Sequence, residues 1–158
     1  MSASLIYDLA PIGSIVAWSD GTPRPPARHK KKLAAWENRN SKGRLIRKQG
    51  ERGVGNVSLS PDFTLHEGDF GGGGVIAIRI YRTFSLNSEL TFKVIERPAL
   101  GSVRVFDRAG VNAELVHLAA SRQAAEEWLT RHGYPNAALE EVTADEVAAD
   151  RVEGRAAA

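Results

Sequence analysis

The stretch VIAIRIYR at Val75–Arg82 decides the fold class, because its isoleucines recur at every second position. A period of two is typical of a β-strand, whose side chains point alternately to opposite faces of a sheet. Similar alternation returns at 90–94 and at 103–106. Several short strands at such spacing predict a strongly bent sheet or a small barrel in the N-terminal part of the chain.

Further strands are expected on the N-terminal side of this stretch. Ile12–Trp18 is apolar and β-branched and ends at a turn sequence, and Arg44–Lys48 suits another strand. Residues 56–59 and 63–66 flank a Ser-Pro-Asp turn, which predicts a hairpin between them. Gly71–Gly74 precedes a strand and lacks the lysine of a phosphate loop, so we interpret it as a hairpin tip.

The last third of the chain changes to a strand-helix-strand-helix pattern. Strands are predicted at Glu114–Leu118 and Ala138–Val142. Between them, Ser121 suits the N-cap of a helix whose apolar residues recur at helical spacing. Thr143 begins a capping box that predicts a final helix.

The predicted fold is therefore α+β: an N-terminal β-rich bent sheet or small barrel with a short basic helix, followed by a C-terminal strand-helix-strand-helix unit. The chain has 158 residues, of which 42% are hydrophobic and 25% charged, as is usual for one globular domain. We expect a single domain over residues 1–158. Two subdomains, a β-rich part with the basic helix at 1–107 and an acidic α/β end at 113–154, are the alternative.

The net charge of +2 hides an uneven distribution of charged residues. Between Thr22 and Val54 there are eleven Lys and Arg residues against two acids, a net charge of +9. From Asp107 to Ala158 there are ten acids against five Arg, a net charge of −5. This asymmetry favours one surface that contacts a polyanion and another that does not.

The basic segment contains a predicted helix at about Arg28–Asn38, in which Leu33 and Trp36 share one face. Cations at a helix start oppose the macrodipole unless an anion binds there, and the free amides of the first turn suit a phosphate. Trp36 could stack a base, although its register with Leu33 also suits the core. The predicted nucleic-acid-binding residues are Arg24, Arg28, Lys30, Lys31, Lys32, Trp36, Arg39, Lys42, Arg44, Arg47 and Lys48.

The leading hypothesis is a small accessory or regulatory protein without enzymatic activity, which contacts the phosphate backbone of DNA or RNA through residues 24–52. The alternative is a structural or interaction protein whose basic segment docks on an acidic protein partner or on a second copy, as a homo-oligomer. A third hypothesis is an enzyme with a site near His66 and Asp69.

The sequence also argues against several classes of protein. It contains no cysteine, which rules out disulfides and thiolate metal sites and favours a reducing, cytoplasmic location. No apolar run approaches the roughly 18 residues that span a bilayer, so we expect no membrane partner. We find no catalytic motif and no spaced set of metal ligands, and we expect no bound cofactor.

Overall fold

In a computed structural model the chain forms an α+β fold, and the structure describes residues 1–73 and 75–157. The α+β class predicted from the sequence is confirmed. In chain order the elements are α1 (Ala3–Leu9), β1 (Ile15–Ser19), α2 (Lys30–Arg39), β2 (Ser41–Gln49), β3 (Arg52–Val54), β4 (Val57–Leu59), β5 (Asp62–Gly72), β6 (Val75–Ser85), β7 (Thr91–Glu96), β8 (Val103–Phe106), β9 (Leu115–Ala119), α3 (Arg122–Thr130), β10 (Ala138–Glu141) and α4 (Ala144–Ala157).

The larger sheet has five strands in the order β6-β5-β2-β1-β7, all antiparallel. Strands β6 and β7 form its two edges and do not pair with each other, so the sheet is open and the barrel alternative is wrong. Arg44 pairs with His66, which in turn pairs with Tyr81. Because directly paired residues share a face of a sheet, these three side chains form one row.

The opposite face of this sheet carries the first hydrophobic core. Trp18, Leu45, Phe63 and Leu65 are buried there, packed against helix α1. The sequence analysis missed α1. Its signals are the Ser2 side chain, which accepts a hydrogen bond from the amide of Leu5 as an N-cap, and the helically spaced buried residues Ala3, Ile6 and Ala10.

The predicted C-terminal strand-helix-strand-helix unit is present as β9, α3, β10 and α4. Strands β10, β8 and β9 form a three-stranded antiparallel sheet in that order. All four residues of β8 are buried, so the alternation at 103–106 does not mark a solvent-exposed face. Because β8 and β9 are neighbours, the subdomain boundary proposed near 107–113 falls inside this sheet.

Two arginines join the sheets at the loop before β1. The Arg104 Nε atom, from β8, donates to the Ile12 carbonyl at 2.7 Å. The Arg44 Nη1 atom, from β2, donates to the neighbouring Gly13 carbonyl at 2.6 Å. Ile46 of β2 packs in a cluster with Leu115 of the second sheet, so apolar contact supports the same junction.

Arg104 is nearly fully buried, with 2% of its side chain exposed. Its Nη1 atom lies 3.2 Å from Glu140 Oε1 and 3.1 Å from Glu146 Oε2, and its Nη2 atom bonds to Glu146 Oε1. The guanidinium therefore connects the loop before β1, strand β10 and helix α4.

One prediction about the β-rich part is wrong. Residues 56–59 do not form a hairpin with 63–66: β4 pairs with β3 around Gly55, whose φ of 61° suits a tight turn, and β5 pairs with β2 and β6. On β6, which is a strand as predicted, Ile76 and Ile78 are exposed. Pairing of β5 with β2 ends at His66, so the outer part of the β5–β6 hairpin extends beyond the sheet.

Within the described residues, no helix is long and apolar enough to cross a membrane.

Arg104→Met should lower the free energy of unfolding by about 2–3 kcal/mol, because it leaves the Ile12 carbonyl without its donor and breaks a charge-assisted network. This loss of stability is smaller than is usual when one partner of a buried ion pair is removed, because the side chains of Glu140 and Glu146 are 62% and 31% exposed. Urea unfolding measures it. Arg122→Met is the control, since it breaks an exposed pair with Glu126 and should cost less than about 0.5 kcal/mol. Equal losses would contradict the role of Arg104.

Gly43→Ala should also destabilise the protein. A Cβ atom there would lie 2.8 Å from the His66 carbonyl oxygen, so the backbones of β2 and β5 would have to separate. We expect a loss of about 1–3 kcal/mol by thermal or urea unfolding. Gly53→Ala, where a Cβ meets nothing within 4 Å, should stay within about 0.5 kcal/mol of wild type. A Gly43→Ala variant as stable as that control would contradict the close approach.

Candidate functional site

Helix α2 stands on the surface with no buried residue. Its inner side, at Leu33 and Trp36, is half-buried. The Trp36 Nε1 atom donates to the Thr22 carbonyl at 3.0 Å, and the Trp18 Nε1 atom donates to the Asn38 carbonyl at 3.3 Å. The helix is thus fixed by a few polar contacts, and the rest of its surface faces solvent.

The first turn of α2 is strongly cationic. Lys30, Lys31 and Lys32 are exposed, and within the described chain they form no ion pair or hydrogen bond through their side chains. The first turn contains no acid, and the N-cap residue His29 makes no side-chain capping bond. The first-turn amides and these ammonium groups are therefore free to bind an anion.

Other predicted residues extend this cationic surface. Arg24, Arg28 and Lys42 are exposed. Arg39 is also exposed, and its Nε atom lies 3.1 Å from Asp20 Oδ2. Hydrogen bonds from Thr22, with further ones from Asn40 and Arg39, hold the pKa of Asp20 well below its usual range. Asp20 is thus an anion that offsets part of the charge of Arg39. We call these exposed cations of residues 24–42 the basic surface: Arg24, Arg28, Lys30, Lys31, Lys32, Arg39 and Lys42.

The remaining three predicted cations are half-buried on β2 and are not brought together with α2. Arg44 donates to Gly13, as described above. Arg47 lines a hollow of about 220 Å³, and its buried Nε atom has no hydrogen-bond partner. The Lys48 ammonium lies 6.0 Å from the centroid of the Tyr7 ring. Their role as phosphate contacts stays a prediction.

A cleft of about 420 Å³ lies between the two sheets, on the face of the large sheet opposite to α1. The row Arg44, His66 and Tyr81 forms one wall. The other wall comes from β9, the residue before it and helix α3. The titratable and aromatic residues that line the cleft are Arg44, His66, Asp69, Arg79, Tyr81, Glu114, His117, Trp128 and His132.

The cleft brings together the pair of residues that the enzyme hypothesis named. The His66 Nε2 atom lies 2.6 Å from Asp69 Oδ1, and the Arg79 Nε atom lies 3.7 Å from the same oxygen. A hydrogen bond to Tyr81 raises the pKa of Arg79. Among the described residues, no three His, Asp or Glu side chains are grouped as ligands of a metal ion.

Stacked rings line the far wall. The rings of Trp128 and His132 lie 3.8 Å apart and nearly parallel, and those of Trp128 and His117 lie 4.6 Å apart. Burial lowers the pKa of His117, and the positive charges of His132 and Arg44 lower it further. This wall was not predicted because its histidines are scattered in the sequence. The four-residue spacing of Trp128 and His132 is a sequence signal for their contact, because residues four apart in a helix are neighbours. No local pattern in the sequence links either residue to His117.

Comparison with known proteins identifies one family. The model of the family described as uncharacterised conserved protein UCP036055 matches residues 1–146. No curated protein matches the chain, and neither does any solved structure.

The lowered pKa of His117 predicts a dependence of stability on pH. The unfolded state binds a proton near pH 6.5 and the folded state only below it, so the free energy of unfolding falls as pH drops through that range. Urea unfolding at about pH 7.5 and about pH 5 should show a smaller fall in His117→Phe, which keeps a ring against Trp128. His29→Phe, at an exposed position, controls for the loss of a histidine. Equal flattening in both variants would contradict the assignment.

Proposed function

The chain belongs to the UCP036055 family, and we propose that it is an accessory or regulatory protein that contacts the phosphate backbone of DNA or RNA through its basic surface. The observation that carries this proposal is the exposed, unpaired lysine cluster at the N-terminal turn of α2. Backbone contact of this kind neutralises phosphates and tolerates different base sequences.

The position of the lysine cluster is electrostatically unfavourable within the helix itself. The N-terminus of a helix carries a partial positive charge, so Lys30, Lys31 and Lys32 repel the end of α2 on which they lie. The first turn of α2 contains no acid that would offset that repulsion. A bound phosphate would contact both the free amides and the ammonium groups and would remove the repulsion.

The length of the basic surface favours a nucleic-acid strand over a single phosphate ion as its ligand. Helix α2 has ten residues and is therefore about 15 Å long. Phosphates of one strand follow each other at about 3.4 Å along the axis of a duplex, so the helix matches roughly four of them. Lys42 and Arg24 flank the helix in sequence and add cations beyond its two ends.

The acidic C-terminal part of the chain favours one orientation of the protein on the nucleic acid. Residues 107–158 carry a net charge of −5, and the acids Glu126, Glu127 and Glu141 are exposed. A polyanion is repelled by that surface and attracted to the basic one. Trp36 is half-exposed, and its Nε1 atom is held by Thr22, which leaves ring area as a candidate for stacking on a base. Cytoplasmic location stays a prediction from the absence of cysteine.

Docking on an acidic protein or on a second copy is the competing function for the same surface. The exposed acids of the C-terminal end supply the charge complement that a head-to-tail contact between copies would need. Sedimentation without nucleic acid separates the two functions. A mass that rises with concentration and returns to monomer at high salt would favour self-association.

Replacing Lys30, Lys31 and Lys32 together by Ala should weaken binding of single- and double-stranded DNA and RNA alike. If the three lysines each contact a phosphate of a duplex, the slope of log affinity against log salt should fall in magnitude by about 2.7. Fluorescence anisotropy of labelled oligonucleotides across a salt series measures this slope.

Arg108, Arg122 and Arg131 replaced together by Ala provide the matched control. This variant loses the same three charges from exposed positions on the acidic part of the chain. It should retain the wild-type salt slope. Absence of binding by the wild-type protein at low salt, or equal loss in both triple variants, would contradict the proposed function.

A further inference from the structure

Helix α2 does not line the cleft between the sheets. Asn38, at the end of α2, accepts a hydrogen bond from Arg82, and Arg82 pairs with Leu65 of the first core. The row that ends in Tyr81 lies on the other face of the sheet. A ligand of the cleft would therefore not compete directly for α2.

The cleft and the hollow that contains Arg47 together hold more guanidinium groups than carboxylates. Asp69 is approached by both His66 and Arg79, so its charge is largely matched. The hollow that contains Arg47 shares Ile46, Tyr81 and Glu114 with the cleft, which makes the two spaces neighbours. Counting that hollow, three guanidinium groups face two carboxylates.

Arg47 has an unpaired buried donor at this end of the cleft. Its Nε atom is buried without a hydrogen-bond partner, as is the acceptor Asp62 Oδ1 at the start of β5, whereas buried polar atoms in folded proteins are nearly always satisfied. Leaving such a donor unpaired is costly, and more so for a charged group. A negatively charged oxygen atom would match it best.

The other residues that line the cleft are suited to contact the non-polar part of an organic ligand. Ile46, Leu115 and Leu118 supply apolar surface, and the stacked ring of Trp128 supplies an aromatic one. The volume of about 420 Å³ lies within the usual range for small-molecule sites.

We propose that this cleft binds a small organic anion, with its carboxylate or phosphate group on Arg44 and Arg79, which both line the cleft, and its apolar or aromatic body against the wall of Trp128. Arg44 remains tied to Gly13 through one N–H and keeps the others for the ligand. The ligand would enter between β6 and α3, whose residues Arg79 and Trp128 both line the cleft.

Binding of an anion should be coupled to protonation of His117. Several titratable groups line the cleft together with that imidazole. On the large sheet they are Arg44, His66, Asp69, Arg79 and Tyr81, and on the opposite wall they are Glu114 and His132. Positive charge from His132 and Arg44 disfavours the protonated form, and a bound anion would offset it. The affinity for an anion should therefore rise as pH falls below the ordinary histidine range.

The test uses three probes of similar shape: benzoate, phenyl phosphate and uncharged benzamide. The readouts are the NMR signals of the Trp128 indole N–H and the His117 imidazole. At least one of the two anions should shift both signals in a saturable way, with benzamide at least about tenfold weaker. Saturation by one anion alone would identify the oxyanion that the site takes.

Matched variants locate the charged group. Arg79→Gln should weaken anion binding by about tenfold or more, and Lys93→Gln, at an exposed position outside the cleft and the basic surface, should leave it unchanged. Arg79 is 42% exposed, so its variant should fold. The proposal is overturned if benzamide binds as tightly as the anions, if neither anion saturates at about 10 mM, or if Arg79→Gln binds like wild type.

Discussion

The loop at Ile12 and Gly13 is the constraint on which the arrangement of this protein depends. Its two consecutive carbonyls accept hydrogen bonds from Arg104 of one sheet and Arg44 of the other. Backbone bonds between Gly13 and Leu45, and between Leu45 and Ser14, fasten the same loop to β2. Because both sheets are fixed to one short segment, the distance between them is set, and the cleft lies in the space that results.

This arrangement gives the large sheet two different faces. One face buries the core with α1 and carries the end of α2, so the lysines of α2 lie on that side, whereas Lys42 shares the opposite face with Arg44. The other face forms the cleft with β9 and α3. Arg44 takes part in the junction and in the cleft, which explains why a cation from the basic segment is half-buried rather than exposed with the lysines of α2. A single charged segment therefore serves two physical roles.

The sequence predicts the parts of this structure that depend on local pattern. Helix α3 follows from its Ser121 cap and apolar spacing, and the strands around Val75–Arg82 follow from alternation. Pairing partners depend on contacts between distant residues, which is why the hairpin predicted at 56–66 was wrong. The cleft could not be predicted for the same reason, since His66 and His117 meet only when two sheets pack together. The basic surface was predictable because its residues are contiguous in the chain.

The most direct test of the central claim maps a short single-stranded oligonucleotide onto the protein by NMR at low salt. Contact through the basic surface predicts that the backbone amides of Lys30, Lys31 and Lys32 shift progressively and that the indole signal of Trp128 does not. Shifts confined to the cleft residues, or no shifts at all, would contradict the claim that α2 faces the phosphate backbone.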